Sequence, residues 1–248
     1  MILAAGCGSV NLVSIEDEWE MGREIEAELN RQLTLVNDRD VQQYITEIGM
    51  RIVSTTDMAN LPWSFYVVAD PAVNAFNTPG GNVYVYTGLI TAADNVAELA
   101  SVIAHEVGHG VARHGTRQMS TAYGINVGAG ILLGSDPGLV QQIAAQVAAT
   151  GAMANFSRAD EREADRMAIG FMYEAGYDPN ALATFFEKLM SANQREPGAV
   201  AQFFSTHPLT SDRIDDARRR AAQYSNTQRL VRTDGRLSSI QQRVRGYN

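Results

Sequence analysis

The stretch that decides the reading is Asn95-Val96-Ala97-Glu98-Leu99-Ala100-Ser101-Val102-Ile103-Ala104-His105-Glu106-Val107-Gly108-His109-Gly110-Val111-Ala112-Arg113-His114. Val96, Leu99, Val102, Ile103 and Val107 recur at three and four residues, so a helix is expected over 95–114. Inside it, His105-Glu106-Val107-Gly108-His109 sets two imidazoles four residues apart. Residues at that spacing differ by about 40° in azimuth, so both rings project from one face about 6 Å apart along the axis. Two neutral imidazoles so placed can grip one zinc ion. Glu106, beside the first of them, can take a proton from an attacking water without itself occupying the metal.

A zinc site needs a third protein ligand. His114 is nine residues from His105 and on a continuous helix faces about 180° away, so it is expected at the helix end or behind a ligand, not on the metal. The extended three-histidine motif would need histidine at 115, where the chain has Gly115. Downstream, the run Ser157-Arg158-Ala159-Asp160-Glu161-Arg162-Glu163-Ala164-Asp165-Arg166 places Glu161 and Asp165 on one helix face, with Glu163 turned about 160° away. Alone, such a run reads as a solvated charged helix. Beside the histidine helix, Glu161 becomes a ligand candidate and Asp165 a group that orients a ligand histidine from behind.

Outward from these two segments the chain reads as α+β and mostly helical. Ser14 can cap a helix with an acidic first turn (Glu16, Asp17, Glu18) and a stripe of Ile25, Leu29 and Leu33, expected to lie on the surface. A second helix starts near Asp38 and buries Val41, Tyr44, Ile45, Ile48 and Ile52. The period then changes to that of strands over 63–68 and, after the turn Pro79-Gly80-Gly81, over 82–87. Further helices are expected over 137–153, 160–175, 180–191 and 211–223. The second strand, Asn82, Val83, Tyr84, Val85 and Tyr86, is expected as an exposed edge to which an extended peptide adds by main-chain hydrogen bonds. The glycine-rich stretch 124–134 reads equally as a lid or a plain loop.

The 248 residues are 45% apolar and 19% charged, enough for one folded core, and they show no repeat or interior linker. A net charge of -8 argues against nucleic acid as a partner, although residues 212–248 hold nine Arg against four Asp. That basic tail is read as a solvated face packed on an acidic body. No transmembrane helix is expected: the uncharged stretches 118–135 and 137–157 are split by Asp136-Pro137, and Gln141, Gln142 and Gln146 would be costly in lipid. The single cysteine excludes a disulfide framework. Leu3-Ala4-Ala5-Gly6-Cys7 is similar to a bacterial lipobox, so residues 1–13 are read as the remnant of a lipoprotein signal and tether, with a lipid anchor at Cys7, and residues 14–248 as one catalytic domain.

Taken together, the motifs resemble the zinc metallopeptidases of family forty-eight, which include the HtpX and CAAX prenyl proteases, and within them the soluble periplasmic lipoprotein branch. The resemblance runs from about residue 14 to 245 and rests on Asn74-Ala75-Phe76 with Pro79-Gly80-Gly81, on 105–114, on Glu161 and Asp165, and on Ser205-Thr206-His207-Pro208 with Arg213-Ile214. It implies a zincin-like fold of the gluzincin type. It implies one zinc ion per chain held by His105, His109 and Glu161, Glu106 as general base, and Asp165 behind the ligands. It also implies that His207 lies over the metal, to stabilise the transition state or to cap a latent form; Arg213, expected behind the ligands with Asp165, is a weaker candidate than His207 for donating to the tetrahedral oxyanion. Some periplasmic relatives append helical repeats, which are not expected here. The expected activity is a zinc endopeptidase on unfolded or misassembled envelope proteins, in the periplasm and anchored to the outer membrane. The alternatives are a non-proteolytic periplasmic chaperone or assembly factor that keeps the zinc as structure, and a different zinc hydrolase such as a cell-wall amidase with a narrow pocket.

Overall fold

A computed structural model of the chain describes residues 13–122, 137–153 and 156–247. The expectations for Cys7 and for the stretch 124–134 fall outside the described residues. Helix α1 (Ile15–Gln32) starts where Ser14 Oγ accepts from Asp17 N at 3.0 Å, with Glu16, Asp17 and Glu18 at the positive end of the helix dipole. Helix α2 (Arg39–Val53) is capped by Asp38, whose side chain accepts from Asp40 N and Val41 N. Strands β1 (Ser64–Val68), β2 (Ala75–Thr78) and β3 (Asn82–Tyr86) follow, then helix α3 (Thr87–Ala92).

The sheet order is β1-β3-β2, with β3 parallel to β1 and antiparallel to β2. This corrects the expected substrate edge. Asn82, Val83, Tyr84, Val85 and Tyr86 form the central strand, paired on both sides and buried throughout. Their alternation reflects two apolar faces: Val83 and Val85 join one core with α2 and the later helices, while Tyr84 and Tyr86 join a second with Phe76 and the stripe Met21, Ile25 and Leu29 of α1. Helix α1 covers that second face with Ile25 and Leu29 fully buried, while Glu16, Glu20 and Arg23 are exposed on its outer side, as expected of an amphipathic helix laid on the surface. The β2–β3 turn uses Gly80 at φ 81° and Gly81 at φ 74°, which glycine adopts without steric cost. Here α1 crosses so closely that a Cβ on Gly22 would lie 2.3 Å from the Pro79 carbonyl oxygen.

The remaining helices are α4 (Val96–Val111), α5 (His114–Ala122), α6 (Pro137–Thr150), α7 (Arg158–Glu174), α8 (Ala181–Arg195), α9 (Pro197–Thr206), α10 (Ser211–Ala221) and α11 (Leu237–Val244). Helix α4 is buried from Val96 to Gly110, as suits a helix apolar on nearly all sides, and packs against α2, α7, α8 and the sheet. Its partner α7 comes closest at Gly108, where a Cβ would sit 3.0 Å from the Ala164 carbonyl. Small residues on both helices thus bring two polar stripes face to face inside the protein. The C-terminal arginines lie on acidic neighbours: Arg236 on Glu47 at 2.8 Å, and Arg243 on Asp38 and Asp40 at 3.0 and 2.6 Å. Exposed pairs of this kind contribute little each. Among the described residues no helix is long and apolar enough to cross a membrane.

Candidate metal centre

Asn95 caps α4 by accepting from Glu98 N at 3.1 Å, and Ser157 and Asp160 form a reciprocal capping box at the start of α7. These local stops set the phase of the two helices. His105 and His109 then point from α4 toward Glu161 on α7. His207, the residue at which α9 ends before Pro208, reaches in from a third direction. His105, His109, Glu161 and His207 are all buried, and their candidate ligand atoms lie within 4.8 Å of one another.

The donor atoms lie close together. Nε2 of His105 and Nε2 of His109 are 3.0 Å apart, and His109 Nε2 is 3.3 Å from Glu161 Oε1. His105 Nε2 is 3.6 Å from Glu161 Oε2. His207 Nδ1 lies 3.3 Å from His105 Nε2 and 3.1 Å from Glu161 Oε1. Zinc–ligand bonds of about 2.0–2.1 Å in a tetrahedron require donors about 3.3–3.5 Å apart, so this set fits a zinc-sized ion with nitrogen and oxygen ligands.

Two of the three imidazoles have a polar group close behind them. His105 Nδ1 lies 3.0 Å from Asp165 Oδ1, and His109 Nδ1 lies 2.8 Å from His114 Nδ1. Arg213 donates to both Asp165 oxygens, from Nε at 2.7 Å and from an Nη at 2.8 Å, and its other Nη is 2.6 Å from Glu161 Oε2. Arg213 is therefore engaged on the side of the carboxylates away from the expected reaction. Burial opposes ionisation of Asp165, but Arg213 and His105 prevail and hold its carboxyl below the ordinary range. Burial likewise opposes ionisation of Glu161, yet the three surrounding histidines keep it well below that range, so it is a carboxylate ready to bind a cation.

Glu106 stands apart. Its side chain is fully buried, and neither oxygen receives a hydrogen bond of good geometry; His207 Nε2 approaches Oε1 at 3.4 Å. Burial pushes its carboxyl up against the opposing pull of His207, His105 and the backbone N–H of Asn77. Raising a carboxyl in this way brings it closer to the pH at which a base works, and the unfilled oxygens leave room for a proton donor.

Two features near the site, Asn77 and Phe156, are absent from the sequence reading. Strand β2 carries Asn77 to the Glu106 carboxyl, but four residues are too short to reveal a strand by period. Phe156 stacks on His109 with ring centroids 4.0 Å apart and an interplanar angle of 21°. No local pattern marks it beyond its place before the Ser157 cap. His114 is turned back onto His109 because α4 stops at Val111 and Arg113 adopts φ 56°, held there by Glu18 and by the carbonyls of Val13 and Ser14.

A His-Glu-x-x-His helix completed by a glutamate from a neighbouring helix is the arrangement of a metallopeptidase. The sequence profile described as Peptidase family M48 matches residues 39–221, and the chain belongs to that family. It is 36% identical over 231 residues to the beta-barrel assembly-enhancing protease of Escherichia coli K12, an alignment spanning 88% of this chain and 46% of that protein. It is also 34% identical over 171 residues to the mitochondrial metalloendopeptidase OMA1 of Schizosaccharomyces pombe, spanning 69% of this chain and 50% of that one. With the metalloprotease LoiP of Escherichia coli it shares 32% identity over 166 residues, 64% and 63% of the two chains. The chain spans about half the length of the first two relatives.

Proposed function

We propose that this chain is a zinc-dependent endopeptidase that hydrolyses peptide bonds in unfolded or misassembled bacterial envelope proteins. The observation that carries the reading is the buried donor set of His105, His109, Glu161 and His207, with ligand atoms within 4.8 Å of one another, beside a buried Glu106 carboxyl with unfilled oxygens. His105, His109 and Glu161 would hold a zinc ion, which would supply a Lewis acid for the scissile carbonyl and for the attacking water. Glu106 accepts the water proton as the new C–O bond forms and passes a proton to the amine nitrogen as the C–N bond breaks. Asp165 holds the His105 ring, and Arg213 holds Asp165 and Glu161 in turn.

In this conformation His207 Nδ1 lies against His105 and Glu161 while its Nε2 faces Glu106, so we read it as the closed form. The substrate backbone is proposed to pair with β2, the strand beside α4 that has a strand partner on one side only among the described residues, in place of the central β3. All four β2 residues are buried, so peptide entry also requires the closed form to open. The test is casein degradation by the zinc-loaded protein, lost on chelation and restored by zinc, run beside His207→Ala. We expect His207→Ala to raise basal degradation; unchanged activity at equal zinc content would remove the capping role. Binding of casein without turnover in both proteins would favour a non-proteolytic assembly factor instead.

A lipid on Cys7 is proposed as the anchor to the outer membrane, on the periplasmic side, on the strength of the residues Leu3 to Gly6 before it. Palmitate labelling in a bacterial host is expected for the natural sequence and not for Cys7→Ala. Equal labelling of both, or of neither, removes the anchor.

A further inference from the structure

The two α4 histidines are backed differently. Behind His105 stands a carboxylate, Asp165, itself locked by Arg213. Behind His109 stands another imidazole, with Nδ1 of His109 and Nδ1 of His114 2.8 Å apart and the His114 ring fully buried. Two facing ring nitrogens at that distance hold one proton between them, so one ring donates and the other accepts. The far side of His114 decides which. Among the described residues its Nε2 faces acceptors: Glu163 Oε2 at 3.3 Å and Asp160 Oδ1 at 3.5 Å. Both carboxylates are fixed from elsewhere, Asp160 by Arg117 at 2.8 Å and Glu163 by Arg166 at 3.3 Å. An Nε2–H on His114 is therefore favoured, which leaves its Nδ1 as a bare acceptor.

We infer that His114 is the positioning residue for His109: its Nδ1 accepts the His109 Nδ1–H, while its own Nε2–H is donated to the Glu163 carboxylate with the Asp160 charge beside it, fixing the His109 tautomer with Nε2 bare toward the metal. The inference rests on the reading of His109 as a ligand under Proposed function. A chain of carboxylate, imidazole and imidazole thus does for His109 what Asp165 does directly for His105. The break in α4 is what makes it possible. A continuous helix would carry His114 to the opposite side, and the left-handed backbone at Arg113 returns it. For a non-glycine residue that conformation is uncommon, and here Glu18 and the Val13 and Ser14 carbonyls grip the Arg113 side chain from the start of α1. Glu163, turned away from Glu161 and Asp165 around α7, thereby acquires a part in the site that faces His114 and not the metal.

The test uses the full chain loaded with zinc and imidazole nitrogen spectroscopy of the natural protein. The expected spectrum has a protonated Nδ1 on His109 and a protonated Nε2 with a bare Nδ1 on His114; the reverse tautomer of His114 overturns the inference. Zinc affinity measured by chelator competition gives the second readout. His114→Leu, which offers no acceptor, is expected to lose about 10–100-fold. His114→Asn keeps an acceptor oxygen near the place of Nδ1 and should recover most of that loss. Equal losses in the two variants, or none in His114→Leu, also overturn the inference. Glu163→Ala, at a half-exposed position that the fold tolerates, should weaken zinc binding by less, and it stands in if His114→Leu does not fold; an unchanged affinity would count against the relay. Absence of zinc binding by the natural protein would instead remove the metal-site reading, a result distinct from all of these.

Discussion

Replacing Glu106 with glutamine is expected to lower peptide hydrolysis by about 100-fold to 10,000-fold at unchanged zinc content. The substitution keeps the shape of a fully buried side chain and removes only the ability to take a proton. Glu106 lies outside the donor set of His105, His109, Glu161 and His207, so metal binding has no reason to change. The measurement is casein degradation by matched zinc-loaded proteins, made in a His207→Ala background so that closure does not mask the difference. Loss confined to the glutamine variant assigns the base. Equal cleavage by both would point to a contaminating protease and leave the mechanism without support.

Arg213→Met is expected to produce the largest loss of stability, about 3–5 kcal/mol. The methionine fills much of the same volume but leaves Asp165 and Glu161 as buried carboxylates without their cation. Removing one partner of a buried ion pair costs more than the pair contributes, because the remaining charge stays desolvated. For a chain of this size the thermal midpoint of the metal-free protein should fall by about 10 °C. The pH dependence follows from Asp165, whose carboxyl is depressed when folded. Its stabilisation is present above the unfolded value and is lost as pH falls through the folded one, so the gap between natural protein and variant should narrow in acid. A second change, Asp165→Leu, should recover part of the loss by removing the stranded charge. A shift below about 2 °C for Arg213→Met alone would mean that the arginine does not carry the charge balance of the site.

Much of the catalytic frame was legible because it is written in short-range pattern. Four residues of spacing place His105 and His109 on one face, and the same arithmetic joins Glu161 to Asp165. The caps at Ser14, Asp38 and Asn95 stand where a side-chain oxygen can meet the first free amides. Shorter elements escaped: α3, α9 and α11 have too few turns for a period to stand out, and α7 starts two residues before its expected first residue because Ser157 is its cap.

Strand β3 shows where pattern alone misleads. Alternating valine and tyrosine suits a strand with one wet face, yet tyrosine also packs well against Phe76 and α1, so the same letters describe a strand buried on both sides. Which strand lies at the edge depends on the pairing of β2 and β3, a fact about the assembled sheet. What the sequence by itself determined is the chemistry on each helix face and the points where most helices begin, since both follow from contacts within a few residues. Only the tertiary structure decided that β3 is central, that Arg213 pairs with both Asp165 and Glu161, and that His114 returns to His109. Each depends on groups distant along the chain, Glu18 on Arg113 being the clearest, and local spacing carries no information about them.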